Sequence, residues 1–116
     1  MAYNEKLADK VRTALTGVAK VEEKRMFRGV TFMLDGKMCI SIGDDEMMCR
    51  IDPALHETAI MRKGCTTMMR KGREYKGYVL VNEEGRKSKR DFDYWINLSL
   101  SFNEKAKASP KKKKLR

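Results

Sequence analysis

The residues of this chain best equipped for chemistry are a single histidine, His56, three cysteines, Cys39, Cys49 and Cys65, and the acidic run Asp44-Asp45-Glu46. A histidine does general acid or base work when a cleft sets it beside a nucleophile or a second titratable group. The sequence neighbours Glu57 and Thr58 supply no such signature, so His56 reads as a surface or structural residue. The cysteines contain no Cys-x-x-Cys pair, and an odd number does not close a disulfide framework, so they read as reduced thiols. Cys49, His56 and Cys65 lack the spacing of a zinc module, and neither metal nor cofactor is expected. Asp44-Asp45-Glu46 falls between two apolar runs, where aspartate favours a turn through local hydrogen bonds. With no phosphate-cradling glycine motif and no Gly-x-Ser-x-Gly, the chain reads as no enzyme and has no expected catalytic residue.

Binding chemistry has more behind it. Lys and Arg total 26 against 16 Asp and Glu, a net +10, which points towards an acidic partner such as nucleic acid. Residues 107–116 hold Lys107, Lys111, Lys112, Lys113, Lys114 and Arg116 without an acid, so they carry +6 of the total and leave +4 on residues 1–106. This tail has almost nothing to bury and is expected to be disordered. Lys111, Lys112, Lys113 and Lys114 form either a phosphate-contacting arm or a solubility tail. Two further clusters stand in the body of the chain. Arg70, Lys71, Arg73 and Lys76 surround Tyr75, and Arg86, Lys87, Lys89 and Arg90 crowd the start of the last apolar segment. Both read as anion or nucleic-acid contacts, with solvated charges at loop ends as the alternative. Cations at a helix start oppose its dipole, which makes the second cluster unusual.

The elements that must position these groups follow from periodicity. Leu7, Val11, Leu15 and Val18 recur at helical spacing behind Asn4, a good N-cap, and Gly17 supplies a stop, so a helix is predicted over 5–17. Residues 21–27 read as a charged edge strand. Val30, Phe32 and Leu34 alternate, as do Met38, Ile40 and Ile42, and their apolar faces must coincide. A three-residue loop Asp35-Gly36-Lys37 achieves this by setting Leu34 opposite Met38 and Phe32 opposite Ile40. A two-residue turn would set Leu34 opposite Lys37. A four-residue loop over 43–46 pairs Ile42 with Met47, Ile40 with Cys49 and Met38 with Ile51. Thr31, Met33, Cys39, Ser41 and Met48 then share the opposite face, which a helix, solvent or a second copy in a homodimer would cover. Asp52-Pro53 opens a short helix ending near Gly64, and from Met68 the chain reads as basic and irregular until the strand Tyr78 to Val81. Phe92 to Phe102 fits both a strand and a helical stripe; Ser88-Lys89-Arg90-Asp91, a capping box, tips it to helix.

Several segments, in this order, resemble the N-terminal domain of the TfoX (Sxy) family of bacterial competence regulators. They are Met1 to Leu7, Val21-Glu22-Glu23-Lys24-Arg25-Met26-Phe27, Gly29 through Met38, and Lys76-Gly77-Tyr78-Val79-Leu80-Val81. The resemblance runs from residue 1 to about residue 104. It implies an α+β fold, an antiparallel sheet flanked by helices, with a helix where Phe92 to Phe102 falls. Two features depart from the family pattern. Met26-Phe27-Arg28-Gly29 stands where relatives often read Met-Phe-Gly-Gly, and the lysine tail stands where full-length regulators carry a second domain. The expected architecture is a domain over 1–106, an antiparallel sheet of about five strands with N-terminal, middle and C-terminal helices, and a basic tail over 107–116. The resemblance implies a regulatory role with a protein partner in the transcription machinery. The charged opening residues and the lack of a long apolar run make the cytoplasm the expected location, with no membrane partner.

Overall fold

A computed structural model of the chain describes residues 3–18, 20–26 and 29–105. Phe27, Arg28 and the whole tail with Lys111, Lys112, Lys113 and Lys114 lie outside the described residues. The first helix, α1, runs Glu5–Ala14, with Asn4 Oδ1 accepting from Leu7 N at 3.0 Å. It stops three residues earlier than its apolar period predicts, and Gly17 turns the chain at φ +90°. Strands β1 (Val21–Met26), β2 (Gly29–Leu34), β3 (Lys37–Ile42) and β4 (Met47–Arg50) form a meander. A 3-10 turn over Pro53–Leu55, capped by Asp52, leads into the one-turn helix α2 (His56–Ala59). Strands β5 (Cys65–Arg70) and β6 (Arg73–Val81) follow, and a second 3-10 turn, Glu83–Arg86, precedes helix α3 (Lys89–Asn103). Ser88 Oγ accepts from Asp91 N at 3.0 Å, the cap that the sequence placed there. All neighbours in the sheet are antiparallel, in the order β1-β2-β3-β4-β6-β5.

The fold is α+β as expected, with six strands where five were predicted. The extra strand is β5, which begins just after the predicted end of the middle helix and runs into the segment from Met68 read as irregular. Its partner β6 also starts earlier, at Arg73 rather than Tyr78.

The β2–β3 register is a second correction. Val30 pairs with Ile42 and Phe32 with Ile40, as the apolar match requires. Yet the turn holds two residues, Asp35 at φ 56° and Gly36 at φ 75°, so Leu34 faces Lys37 and Met33 faces Met38. A β-bulge between Phe32 and Met33 reconciles the two ends by leaving Cys39 without an opposite number. Met38 therefore shares a row with Met33 rather than with Leu34, and the expected Met38–Ile51 pair is lost. The β3–β4 pairs Ile42–Met47 and Ile40–Cys49 form as predicted.

One core holds these layers together. Leu7 and Val11 of α1 with Leu15 just after it, Ala59 of α2, and Phe92, Trp95 and Ile96 of α3 pack with Val30, Phe32, Ile40, Ile42, Met47, Cys49, Ile51, Val79 and Val81. Trp95 anchors α3: its buried indole donates to Gly85 O at 3.0 Å. The backbone at Gly85 in turn lies against Gly64, where a Cβ would come within 2.4 Å of Gly85 N, at φ +76°. The opposite row of the sheet, Thr31, Ser41 and Met48, is also buried, and Thr31 Oγ1 and Ser41 Oγ share a hydrogen bond of 2.9 Å.

Gly64→Ala places a methyl group in both a forbidden contact and a strained conformation. It should cost about 2–4 kcal/mol in urea unfolding. A midpoint within error of the parent protein would show that the Gly64–Gly85 approach is not rigid.

Candidate functional site

The one histidine is held by the fold at both ring nitrogens. His56 is 1% exposed. Its Nδ1 accepts from Gly77 N at 2.9 Å, and its Nε2 lies 2.9 Å from Thr67 Oγ1. A nitrogen that accepts an N–H carries no proton, so the proton sits on Nε2 and is donated to Thr67. The ring thus ties β5 to β6 at the point where their pairing is irregular. Thr67 pairs with Val79 and Met68 with Tyr75, so β6 carries Lys76, Gly77 and Tyr78 as extra residues. Gly77 takes φ +92°, a conformation open to glycine, and its carbonyl accepts from Ile51 N at 2.8 Å.

The three cysteines are free and buried. Burial pushes the thiols up, Cys39 and Cys49 to about 12 and Cys65 to about 11. At pH 8 a thiol at 12 has about a thousandfold less thiolate than an unperturbed one. The acidic run Asp44-Asp45-Glu46 lies in the β3–β4 loop as predicted, with Gly43 N donating to Glu46 O at 3.0 Å. It lines a recess of about 460 Å³ together with Gly43, Asn82, Glu83 and Glu84. Among the described residues no group of three His, Cys, Asp or Glu is arranged to hold a metal ion.

The predicted cations part into two sets. Arg86 is buried: its Nη2 donates to Asp45 O at 3.0 Å, and burial pushes the guanidinium down from its ordinary value. It fastens the last 3-10 turn to the β3–β4 loop. Lys89 pairs with Asp93 at 2.6 Å, one helical turn on. Lys87 and Arg90 are exposed, and Arg90 lines a shallow recess with Arg62, Ser88, Asp91 and Tyr94. The Asp91 carboxylate there takes Arg62 at 3.2 Å, and Arg62 also lies over the Tyr94 ring at 3.8 Å, a contact the sequence did not announce. The second cluster is therefore partly neutralised or structural.

The first cluster stays together. Beyond Gly77, β6 leaves β4 behind and pairs with β5 alone, forming a two-stranded ribbon that ends at Lys71-Gly72. Both turn residues have positive φ, 54° and 74°, the mark of a type I′ hairpin. Arg70 stands directly opposite Arg73, and Met68 opposite Tyr75, so these four share a face. Met69 and Glu74 share the other. Arg70, Lys71 and Arg73 are exposed and form no ion pair among the described residues. Lys76 pairs with Glu57 at 2.5 Å, which raises the ammonium and lowers the carboxyl. Met69 is 54% exposed and Tyr75 37%.

Among the described residues, a six-stranded antiparallel sheet carrying three helices, with its histidine and thiols buried and Arg70, Lys71 and Arg73 on an exposed ribbon, defines a small α+β domain. The family model described as the TfoX N-terminal domain matches residues 13–103, and the chain belongs to that family. Neither the curated proteins nor the solved structures gave a match. Among the described residues no helix is long and apolar enough to cross a membrane.

His56→Ala orphans the Gly77 N–H and opens a space beneath the ribbon, a loss of about 3 kcal/mol by the usual cost of a buried unpaired donor plus a cavity. Amide hydrogen exchange reads it locally. Gly77 should lose protection before the β2–β3 amides do, and uniform loss would mean that His56 supports the whole core. The thiols should resist iodoacetamide at pH 8 in the folded protein and react on unfolding. Because folding raises their values, the stability they contribute is present below about pH 9 and is lost as pH rises from there towards 12. A steepening fall of the urea midpoint across that window, lessened in Cys49→Ala, checks the sign.

Proposed function

We propose that this chain is a non-catalytic regulatory or protein-interaction module of the cytoplasm, its partner belonging to the transcription machinery. Membership of the TfoX N-terminal domain family supports the regulatory part. The observation that carries the non-catalytic part is the employment of His56: both ring nitrogens are committed to the fold, at Gly77 and Thr67. The thiols, buried and held protonated, support the same reading.

A second reading, a nonspecific nucleic-acid-binding protein acting through its basic clusters and tail, is favoured by one observation. Arg70, Lys71 and Arg73 gather at an exposed tip without carboxylate partners among the described residues, so an external polyanion can meet them at no cost in broken ion pairs.

Deleting the gene in its host and restoring it on a plasmid tests the first reading by transcript profile. A defined set of transcripts should change on deletion and return on restoration, and an unchanged profile overturns the regulatory assignment. Cys39→Ala, Cys49→Ala and Cys65→Ala should each restore the set as well as the parent gene. Failure of a variant that still melts like the parent protein would return a thiol to chemistry.

A further inference from the structure

We propose that the β5–β6 ribbon is a docking arm for duplex DNA that enters the major groove with Arg70, Arg73 and Tyr75 leading. This deepens the nucleic-acid reading above and rests on it. Three observations on the ribbon converge.

The first is shape. A two-stranded antiparallel ribbon has its strands about 4.8 Å apart, and with side chains it fits a major groove about 12 Å wide. Met68–Arg70 and Arg73–Tyr75 pair only with each other, so no third strand broadens the arm. The tight turn at Lys71-Gly72 keeps the tip narrow as well. The major groove of A-form RNA is too narrow and deep for the same arm, which selects DNA over RNA duplex.

The second is charge at a fixed place. The segment 68–76 holds Arg70, Lys71, Arg73 and Lys76 against Glu74 alone, a net +3. Arg70 and Arg73 occupy directly opposed positions, where like charges repel and folding gains nothing from their presence. A phosphate between them offsets that repulsion, and a guanine edge gives each guanidinium two acceptors. Glu74 lies on the other face and does not compete. The acidic residues Asp44, Asp45, Glu46, Glu83 and Glu84 gather past the far end of β6, nine residues or roughly 30 Å from the tip at the usual rise of a strand. The molecule therefore presents its ribbon, and turns its acidic rim away, as it approaches a polyanion.

The third is chemistry suited to base edges as well as phosphates. Arginine offers a planar fork that matches the O6 and N7 acceptors of guanine, and both strands of the ribbon supply one. Tyr75 and Met68 share the arginine face and give it apolar and hydroxyl surface beside the forks. The His56 bridge fixes the angle of the arm by holding Thr67 and Gly77 where the ribbon leaves the sheet.

Fluorescence anisotropy of the full chain tests this with a guanine-containing 20-base-pair DNA duplex and an RNA duplex of the same sequence. The variants are Arg70→Ala/Arg73→Ala, on the exposed tip, and one with Lys111, Lys112, Lys113 and Lys114 changed to Ser. The ribbon variant should bind DNA at least tenfold more weakly, with the slope of log K against log salt reduced by about 0.9 for each arginine that meets a phosphate and unchanged for one that meets a guanine edge. The parent protein should prefer DNA to RNA by at least tenfold, the tail variant should keep that preference, and dimethyl sulfate should find guanine N7 protected at the bound site. If affinity for DNA survives in the ribbon variant and vanishes in the tail variant, the arm is overturned while the nucleic-acid reading stands. Equal affinity for the two duplexes overturns the major-groove assignment. Absence of salt-sensitive binding by the parent chain overturns both. Matching melting curves for parent and variants ensure that a loss is read as lost contact rather than lost fold.

Discussion

Much of this structure hangs on one imidazole. β6 must serve two partners of unequal length, pairing with β4 over Tyr78–Val81 and with β5 over nearly its whole course. The mismatch is absorbed at Lys76, Gly77 and Tyr78, where the β5 ladder skips. Irregular backbone inside a sheet leaves polar groups without ladder partners, and an orphaned buried donor costs about 1–3 kcal/mol. Gly77 shows how this is met. Its N–H goes to His56 Nδ1 and its C=O to Ile51 N, while the far side of the ring engages Thr67. The only histidine of the chain is thus a patch in the hydrogen-bond network. That use also fixes the base of the ribbon.

The same strand separates charge along its length. Its start carries Arg73 and Lys76, and the residues just beyond its end carry Glu83 and Glu84, which meet Asp44, Asp45 and Glu46 across a recess. Arg86 lies beneath that recess, tied to Asp45 O and buried. It offsets part of the carboxylate repulsion from inside, since a guanidinium stays charged even when desolvated. The net charge of the chain therefore says less than its layout. An excess of +4 over residues 1–106 could have been spread evenly, but the fold sets three exposed cations, Arg70, Lys71 and Arg73, together at one end of the β5–β6 hairpin and five carboxylates past the other.

What could be read from the sequence was whatever burial imposes on one side of an element. Asn4 and Ser88 announced their helices because a cap needs a particular side chain at a particular place. The pairs Phe32–Ile40 and Ile40–Cys49 followed from matching apolar faces. Where burial is weak the signal failed. The outer halves of β5 and β6 bury little on either side, so Thr66 to Arg70 shows no apolar alternation, and Lys71 at positive φ is not the Asn or Asp that usually marks a type I′ turn. The bulge at Cys39 was hidden for a different reason. It shifts parity by one within a strand, and alternation on either side of it looks regular, so two registers that appeared to compete both occur at opposite ends of one hairpin. Of the cationic cluster before α3, only the structure could separate Arg86, which is drawn into the interior, from Lys87 and Arg90, which stay outside.

These failures coincide with the surface proposed above as a docking arm. A segment under no pressure to bury an apolar face is free to place side chains for an external partner, and the ribbon gains little for the fold from its own: arginines opposed, Met69 and Tyr75 partly exposed, no flanking strand at the tip. Hairpins of this size are marginal alone in water. This one is held because its root is clamped by His56 and continuous with the core strand at Val79 and Val81. Docking of the proposed arm then orders only side chains, since the backbone that carries Arg70 and Arg73 is paired in the ribbon, and contacts made from a preorganised backbone lose less to entropy than those from a segment that must first be ordered.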